Sequence, residues 1–208
     1  MRVAIVGAGY SGTIAAVEIA RAAPGAEIFL IEKSGRFAAG AAYGTISPGH
    51  LLNVRARNMS ALADEPDHFA SWAAGEGFGP DDYVPRRDFR RYLAALLDAT
   101  PGVTRVAGEA VAVAHGAVGL ESGEWIDCGA AVLAGGNYPS RLPAAFGALA
   151  IDDPWSPEGA AAVAAAAAGG GELLLVGTGL TMVDMAVSLE EARFAGRITA
   201  VSRRGLVP

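Results

Sequence analysis

Near its start the chain reads Val3-Ala4-Ile5-Val6-Gly7-Ala8-Gly9-Tyr10-Ser11-Gly12-Thr13. The apolar run Val3 to Val6 is rich in β-branched residues and stops at a glycine, which suits a buried parallel strand. From Thr13 to Ala23 the Ala, Ile and Val residues suit a helix, ended by Pro24-Gly25. Ile28 to Ile31 then reads as a second buried strand, so the first 32 residues predict a βαβ unit. Its glycines follow the pattern G-x-G-x-x-G with Tyr10 and Ser11 in the variable positions. Each glycine has a physical task. Gly7 allows the tight turn, Gly9 lets the backbone approach a pyrophosphate, and Gly12 allows close packing of helix on strand. The helix N-terminus offers free N–H groups and a positive dipole end to phosphate. Glu32, twenty positions beyond Gly12, stands where a carboxylate binds a ribose diol, and Lys33 follows it. The competing possibility is a glycine-rich turn in an ordinary α/β sheet.

Working outward, the same pattern recurs 170 positions later without a gap. Val6, Gly7, Gly9 and Ala16 match Val176, Gly177, Gly179 and Ala186, and Ile28 to Ile31 falls on Ile198 to Val201. Two βαβ beginnings with one internal spacing mark a repeat. The second copy departs in two places. Met182 stands where the third glycine would be, which predicts a helix set differently on its strand. Ser202 stands where Glu32 would be, followed by Arg203 and Arg204. A carboxylate repels a 2′-phosphate, whereas Ser-Arg-Arg accepts one by hydrogen bonds and charge pairing, so this site is expected to prefer NADPH over NADH. The alternative is that both arginines are a solvated basic chain end.

Between the copies, residues 37–82 read as irregular, with a short helix from Asp67 to Ala74. Arg87 to Ala99 is a clearer helix, and Phe89, Tyr92, Leu93, Leu96 and Leu97 mark its apolar face. Val103 to Leu133 is broken by Gly116, Gly119 and Gly123. It reads as an antiparallel meander leading into a buried strand, Ala130 to Ala134. Residues 137–157 hold four of the eleven prolines and read as an inter-domain connection. The Ala-rich stretch Gly159 to Gly171 reads as a low-complexity helix or linker, too short and weakly apolar to span a bilayer. Leu173 to Val176 is expected as a buried strand, followed by a helix from Leu180 to about Phe194 and a strand from Ile198 to Val201.

Composition excludes further classes. Of 208 residues 28 are glycine, close to twice the usual ~7%. With 52% hydrophobic residues the chain is too apolar for wholesale disorder, and its net charge of -6 lacks the basic footprint of a nucleic-acid binder. Cys128 is the single cysteine, so an internal disulfide and a CxxC pair are ruled out, and a cytoplasmic location is the default. No targeting or membrane segment is expected. Lys33 is the only lysine and follows Glu32 rather than Gly, which removes a phosphate-loop lysine. Phe29 stands where a Tyr-x-x-x-Lys pair needs tyrosine, and Thr13 where a GxSxG elbow needs glycine. His50, His68 and His115 are too scattered to propose a metal site. No side chain stands out as a general acid or base. Glu18 and Asp184 read as helix-surface charges. The pairs Arg86-Arg87 and Arg90-Arg91 read as a solvated face, with a phosphate contact as the other possibility.

Several further stretches carry a resemblance. They are Ala42-Tyr43-Gly44-Thr45, His50 to Val54, Asp67-His68-Phe69, Val84 to Arg87, Leu133 to Asn137, Gly177 to Asp184 and Ser202 to Leu206. With both glycine turns, the whole chain resembles the bacterial FAD/NAD(P)-binding oxidoreductases, two-dinucleotide-domain flavoproteins related to flavin monooxygenases. The resemblance implies a Rossmann-like domain with a parallel sheet and an antiparallel meander, followed by the start of a second Rossmann-like domain. FAD would lie on Gly7, Gly9, Gly12 and Glu32. Asn53 would face the flavin side, and the strand near Ala110 would offer backbone to the adenine. The turn Ala134-Gly135-Gly136 would pass near FAD, with Gly135 where the family usually has threonine. NADPH would take Gly177, Gly179, Leu180 and Thr181, with Ser202, Arg203 and Arg204 around the 2′-phosphate. The resemblance also implies longer members. Residues 1–150 are thus expected to form an FAD domain without its C-terminal return, and 151–208 a linker and truncated NAD(P) domain. Hydride transfer from NADPH to flavin, with monooxygenase chemistry on a small molecule, is the implied activity. A non-catalytic dinucleotide-binding fragment and a single-cofactor NAD-dependent dehydrogenase are the alternatives.

Overall fold

The computed structural model describes residues 1–137, 147 and 150–206. The chain divides into two compact units, Met1–Gly136 and Asn137–Pro208.

The first unit opens with β1 (Arg2–Val6), α1 (Tyr10–Ala22) and β2 (Glu27–Glu32). After β2 come α2 (Gly40–Tyr43), a 3-10 turn (Ala56–Asn58), α3 (His68–Gly75) and α4 (Arg86–Asp98). The chain then returns through β3 (Val103–Ala107), β4 (Ala110–Ala114), β5 (Ala117–Leu120), β6 (Trp125–Asp127) and β7 (Ala130–Leu133). One sheet runs β3-β2-β1-β7 with every pairing parallel. A second, antiparallel sheet runs β4-β5-β6.

The pleat explains the layers. Along β1 and β2, Val3, Ile5, Ile28 and Leu30 point to one face, where they pack with Ala16 of α1 and Leu97 of α4. Ala4 and Ile31 point the other way and pack against Val118, Leu120, Ile126 and Cys128 of the antiparallel sheet. Both faces of the central strands are thus covered, which is why they read as continuous apolar runs. Burying each Ile or Leu contributes about 1.5–3 kcal/mol. A separate aromatic cluster of Phe69, Phe89 and Tyr92 holds α3 against α4.

Two expectations are corrected here. Val103 to Ala107 is not the first strand of the meander but a parallel edge strand, with Val103 opposite Ile28 and Val106 opposite Ile31. Only Val103 and Val106 are half-buried and the other three residues are exposed, as at a sheet edge, and so short a run does not distinguish parallel from antiparallel pairing. β7 is not buried, since only β1 flanks it and Leu133 remains 71% exposed.

The second unit contains α5 (Pro157–Gly169), β8 (Glu172–Val176), α6 (Leu180–Glu191) and β9 (Arg197–Val201). The Ala-rich stretch is a helix, started by Ser156, whose hydroxyl accepts a hydrogen bond from Gly159 N at 2.9 Å. β8 and β9 pair in parallel. β8 was expected to be buried, yet it alternates between half-buried and exposed residues, and all of β9 is exposed. A two-stranded sheet leaves edges and much of a face open, so apolar strand residues stay accessible. The proposed connection over 137–157 falls largely on residues 138–146 and 148–149, outside the described ones. Among the described residues no helix is long and apolar enough to cross a membrane.

Candidate dinucleotide sites

The strand order places β1 between β2 and β7, so the chain builds outward from β1 through β2 to β3 and then returns to the other side of β1 at β7. The crevice at the C-terminal ends of such strands is where α/β sheets bind ligands. Gly7 lies there. Its φ of +97° is one that side-chain-bearing residues rarely adopt, and a Cβ would stand 2.3 Å from the Ala134 carbonyl oxygen. Gly7 N donates to Ile31 O at 2.8 Å and Ala134 N to Val6 O at 2.8 Å, which ties the turn to both neighbouring strands. Ala134 and Gly135 thus lie against the glycine turn. Gly12 is buried, and a Cβ on it would stand 1.8 Å from Gly7 O, so only glycine permits this approach of α1 to the turn.

Gly9 caps α1 without a side-chain hydrogen bond. The first N–H groups of the helix therefore keep their donor capacity for an anion. Tyr10 and Ser11 are exposed in this first turn, and Tyr10 lies 6.1 Å from Tyr43 and 6.3 Å from Phe89, ring centre to ring centre. Partial burial pushes the Tyr10 hydroxyl above its ordinary pKa. One participant was not singled out by spacing: Gly40. A Cβ there would lie 3.0 Å from Gly9 Cα. Ala38 and Gly40 both have positive φ, which turns α2 sharply onto the glycine loop. That approach is non-local, so no short motif announces it.

Glu32 sits at the end of β2 and reaches back to the turn. Its Oε2 accepts from Ala8 N at 3.1 Å, and its Oε1 accepts from Ser34 N at 3.1 Å and Ser34 Oγ at 2.8 Å. The carboxylate is thus oriented before any ligand arrives. Beside it lies a cleft of about 770 Å³ lined by Lys33, Ser34, Gly108, Glu109, Leu120 and Ser122, among others. Lys33 is exposed, 3.8 Å from a Glu109 carboxylate oxygen. Ala110 is half-buried at the start of β4 and packs on the sheet core, while Gly108 and Glu109 offer the cleft its backbone.

Asn53 is exposed in a segment fastened by Leu52 N to Val84 O at 2.9 Å and by Arg86 Nε to Leu51 O at 2.9 Å. Nearby, His50 is buried and shares a 2.7 Å hydrogen bond between its Nδ1 and Thr45 Oγ1.

In the second unit the strand, turn and helix recur at the expected positions. Gly177 has φ +108°, and its N–H donates to Val201 O at 2.7 Å, as Gly7 does to Ile31. Gly179 caps α6 without a side-chain hydrogen bond, which leaves the first-turn N–H groups at Leu180 and Thr181 open. Met182 changes the start of the helix: Met182 N donates to Gly179 O at 2.9 Å, and the following Val183 N to the same oxygen at 3.4 Å. In α1 the matching Thr13 N to Gly9 O bond is 3.0 Å. After β9, Ser202 Oγ accepts from Gly205 N at 3.0 Å, and Thr178 Oγ1 donates to Leu206 O. The Ser202-Arg203-Arg204 turn is thereby folded back toward the glycine turn, with both arginines exposed.

Fold and turn together define a dinucleotide-binding α/β protein. The family model described as FAD-NAD(P)-binding matches residues 4–138, and the chain belongs to that family. A comparison with curated protein sequences finds no match. Among solved structures the chain is similar to OTEMO in complex with FAD and NADP, with TM-score 0.63 and 19% identity over 96% of this chain and 38% of that one. It is similar to Lactococcus lactis thioredoxin reductase, with TM-score 0.59 and 18% identity over 99% of this chain and 57% of that one. It is also similar to cyclohexanone monooxygenase in a closed structure, with TM-score 0.56 and 17% identity over 97% of this chain and 38% of that one. The chain spans well under two thirds of the length of each. At these identities the likeness is one of fold.

Proposed function

We propose that this protein binds FAD on its first unit and NADPH on its second, and serves as an NADPH-dependent flavin oxidoreductase acting on a small molecule in the cytoplasm. The observation that carries this is the pair of glycine turns in one register, one with a carboxylate and one with Ser-Arg-Arg at the equivalent position. The residues of the first turn fit a dinucleotide. Gly9 leaves the backbone bare, the start of α1 has no side-chain cap, and Glu32 is held by the Ala8 and Ser34 amides and the Ser34 hydroxyl with acceptor capacity left for a ribose hydroxyl. In the second turn a Cβ on either Gly177 or Gly179 would meet nothing within 4 Å, which leaves room for phosphate, and Arg203 and Arg204 supply positive charge. When bound, FAD supplies two-electron redox chemistry that no side chain of the chain offers. The chain's own part is to bind, to orient and to discriminate. The net charge of -6 disfavours a nucleic acid as partner.

The test is direct. Protein loaded with FAD and freed of excess should be yellow, and anaerobic NADPH should bleach it faster than NADH. Failure to retain flavin overturns the first-unit assignment. Equal bleaching by NADH overturns the second.

A further inference from the structure

Most arginines of the first unit are neutralised. Arg21, Arg55, Arg57, Arg91 and Arg105 each meet a carboxylate. Arg36 and Arg90 do not. Among the described residues, Arg90 makes no hydrogen bond or ion pair, and the Arg36 guanidinium donates only to the Gly44 carbonyl. The two are close enough to repel each other. Partial burial and then Arg36 push the Arg90 guanidinium below its ordinary pKa. In a chain of net charge -6, two like charges held together without a counter-ion are a local cost to stability.

Their position gives that cost a purpose. Arg36 grips the C-terminal end of α2, whose first residue, Gly40, abuts Gly9 of the dinucleotide turn. Arg90 is on α4, which packs on both α1 and α2 and whose Phe89 ring meets Tyr10 and Tyr43. Arg90 follows Phe89 on this helix, half-buried and within electrostatic reach of Arg36. Guanidinium groups offer planar, fixed donors that suit phosphate oxygens.

We propose that Arg36 and Arg90 form a two-guanidinium clamp for the diphosphate of the bound dinucleotide, supplementing the backbone amides of the glycine turn. This rests on the assignment of FAD to the first unit. It also turns the Arg90 position from a solvated face into a binding one.

The test compares wild type, Arg36→Gln, Arg90→Gln and the ion-paired control Arg21→Gln. FAD affinity is read by flavin fluorescence over a series of salt concentrations, and stability by thermal unfolding of the flavin-free protein. Arg36→Gln and Arg90→Gln should each weaken FAD binding by about tenfold or more and flatten its salt dependence. Arg90→Gln should at the same time raise the unfolding temperature of the flavin-free protein, because repulsion is relieved. Arg21→Gln should keep FAD affinity within about twofold. FAD affinity within about twofold of wild type in either clamp variant overturns the proposal. So does a loss of affinity in Arg90→Gln accompanied by lower flavin-free stability, which marks a structural role. Failure of wild type to take up FAD overturns the cofactor assignment itself and is seen before any variant is made.

Discussion

At the scale of the residue, the same glycine letter does different work in the two turns. Gly7 is required twice over, by φ +97° and by the Ala134 carbonyl 2.3 Å from where a Cβ would lie. Gly179 is required by neither, since its φ is -84° and nothing stands within 4 Å. Gly7→Ala should therefore destabilise the protein by about 2 kcal/mol or more in urea unfolding. Gly179→Ala should stay within about 1 kcal/mol of wild type, a weaker N-cap being its only cost. Yet it should still weaken NADPH, because a methyl group would stand where phosphate approaches. A large stability loss from Gly179→Ala would show that its environment is more crowded than the open turn described above.

At the scale of the element, the repeat is better preserved in backbone than in side chains. Arg2 pairs with Glu27 across β1 and β2, and Glu172 with Arg197 across β8 and β9, all shifted by 170 positions. The ion pair survives with its charges exchanged, at 3.4 Å in the first unit and 3.6 Å in the second. Both pairs are solvent-exposed, so each contributes at most about 1 kcal/mol. The exchanged double variant Arg2→Glu with Glu27→Arg should unfold within about 0.5 kcal/mol of wild type, whereas Arg2→Glu alone should lose more by placing two carboxylates together. An exchanged variant as unstable as the single one would mean that Arg2 acts through its stacking over Phe29, at 4.8 Å, rather than through its charge.

This also explains how much of the fold could be read in advance. The βαβ units were legible because strand, turn, helix and acid lie within about thirty residues and obey local rules. Glu32 was legible for the same reason, although its bonds to Ala8 and Ser34 were not. The edge position of β3 was not legible, since a short run such as Val-Thr-Arg-Val-Ala suits a parallel edge as readily as a meander. Gly40 and the pairing of Arg36 with Arg90 were not legible, although a phosphate contact at Arg90 was one possibility, because they depend on α2 and α4 being folded onto α1. No fixed spacing connects positions 9, 36, 40 and 90; only the tertiary fold does.

At the scale of the whole molecule, the two units offer one dinucleotide turn with opposite charge at its selective position. Glu32 puts a carboxylate at the end of the second strand of the first unit; Ser202, Arg203 and Arg204 put a hydroxyl and two cations at the equivalent place in the second. Coulomb attraction to a doubly charged 2′-phosphate is strongest where cations are unpaired, and neither Arg203 nor Arg204 meets a carboxylate among the described residues. Being exposed, they are also screened by salt. Arg203→Gln with Arg204→Gln should thus weaken NADPH by about one to two orders of magnitude at low salt, and leave NADH nearly unchanged. Adding Ser202→Glu should go further and reverse the preference, since the new carboxylate accepts the diol of NADH and repels the phosphate of NADPH. FAD affinity, set by the other unit, should be the same in all of these variants. Competitive titration of NADPH and NADH against FAD-loaded protein, and of FAD against flavin-free protein, measures the three quantities. NADPH and NADH weakening in parallel would show that the arginines merely support the turn, and the selectivity would then have to lie elsewhere in the second unit.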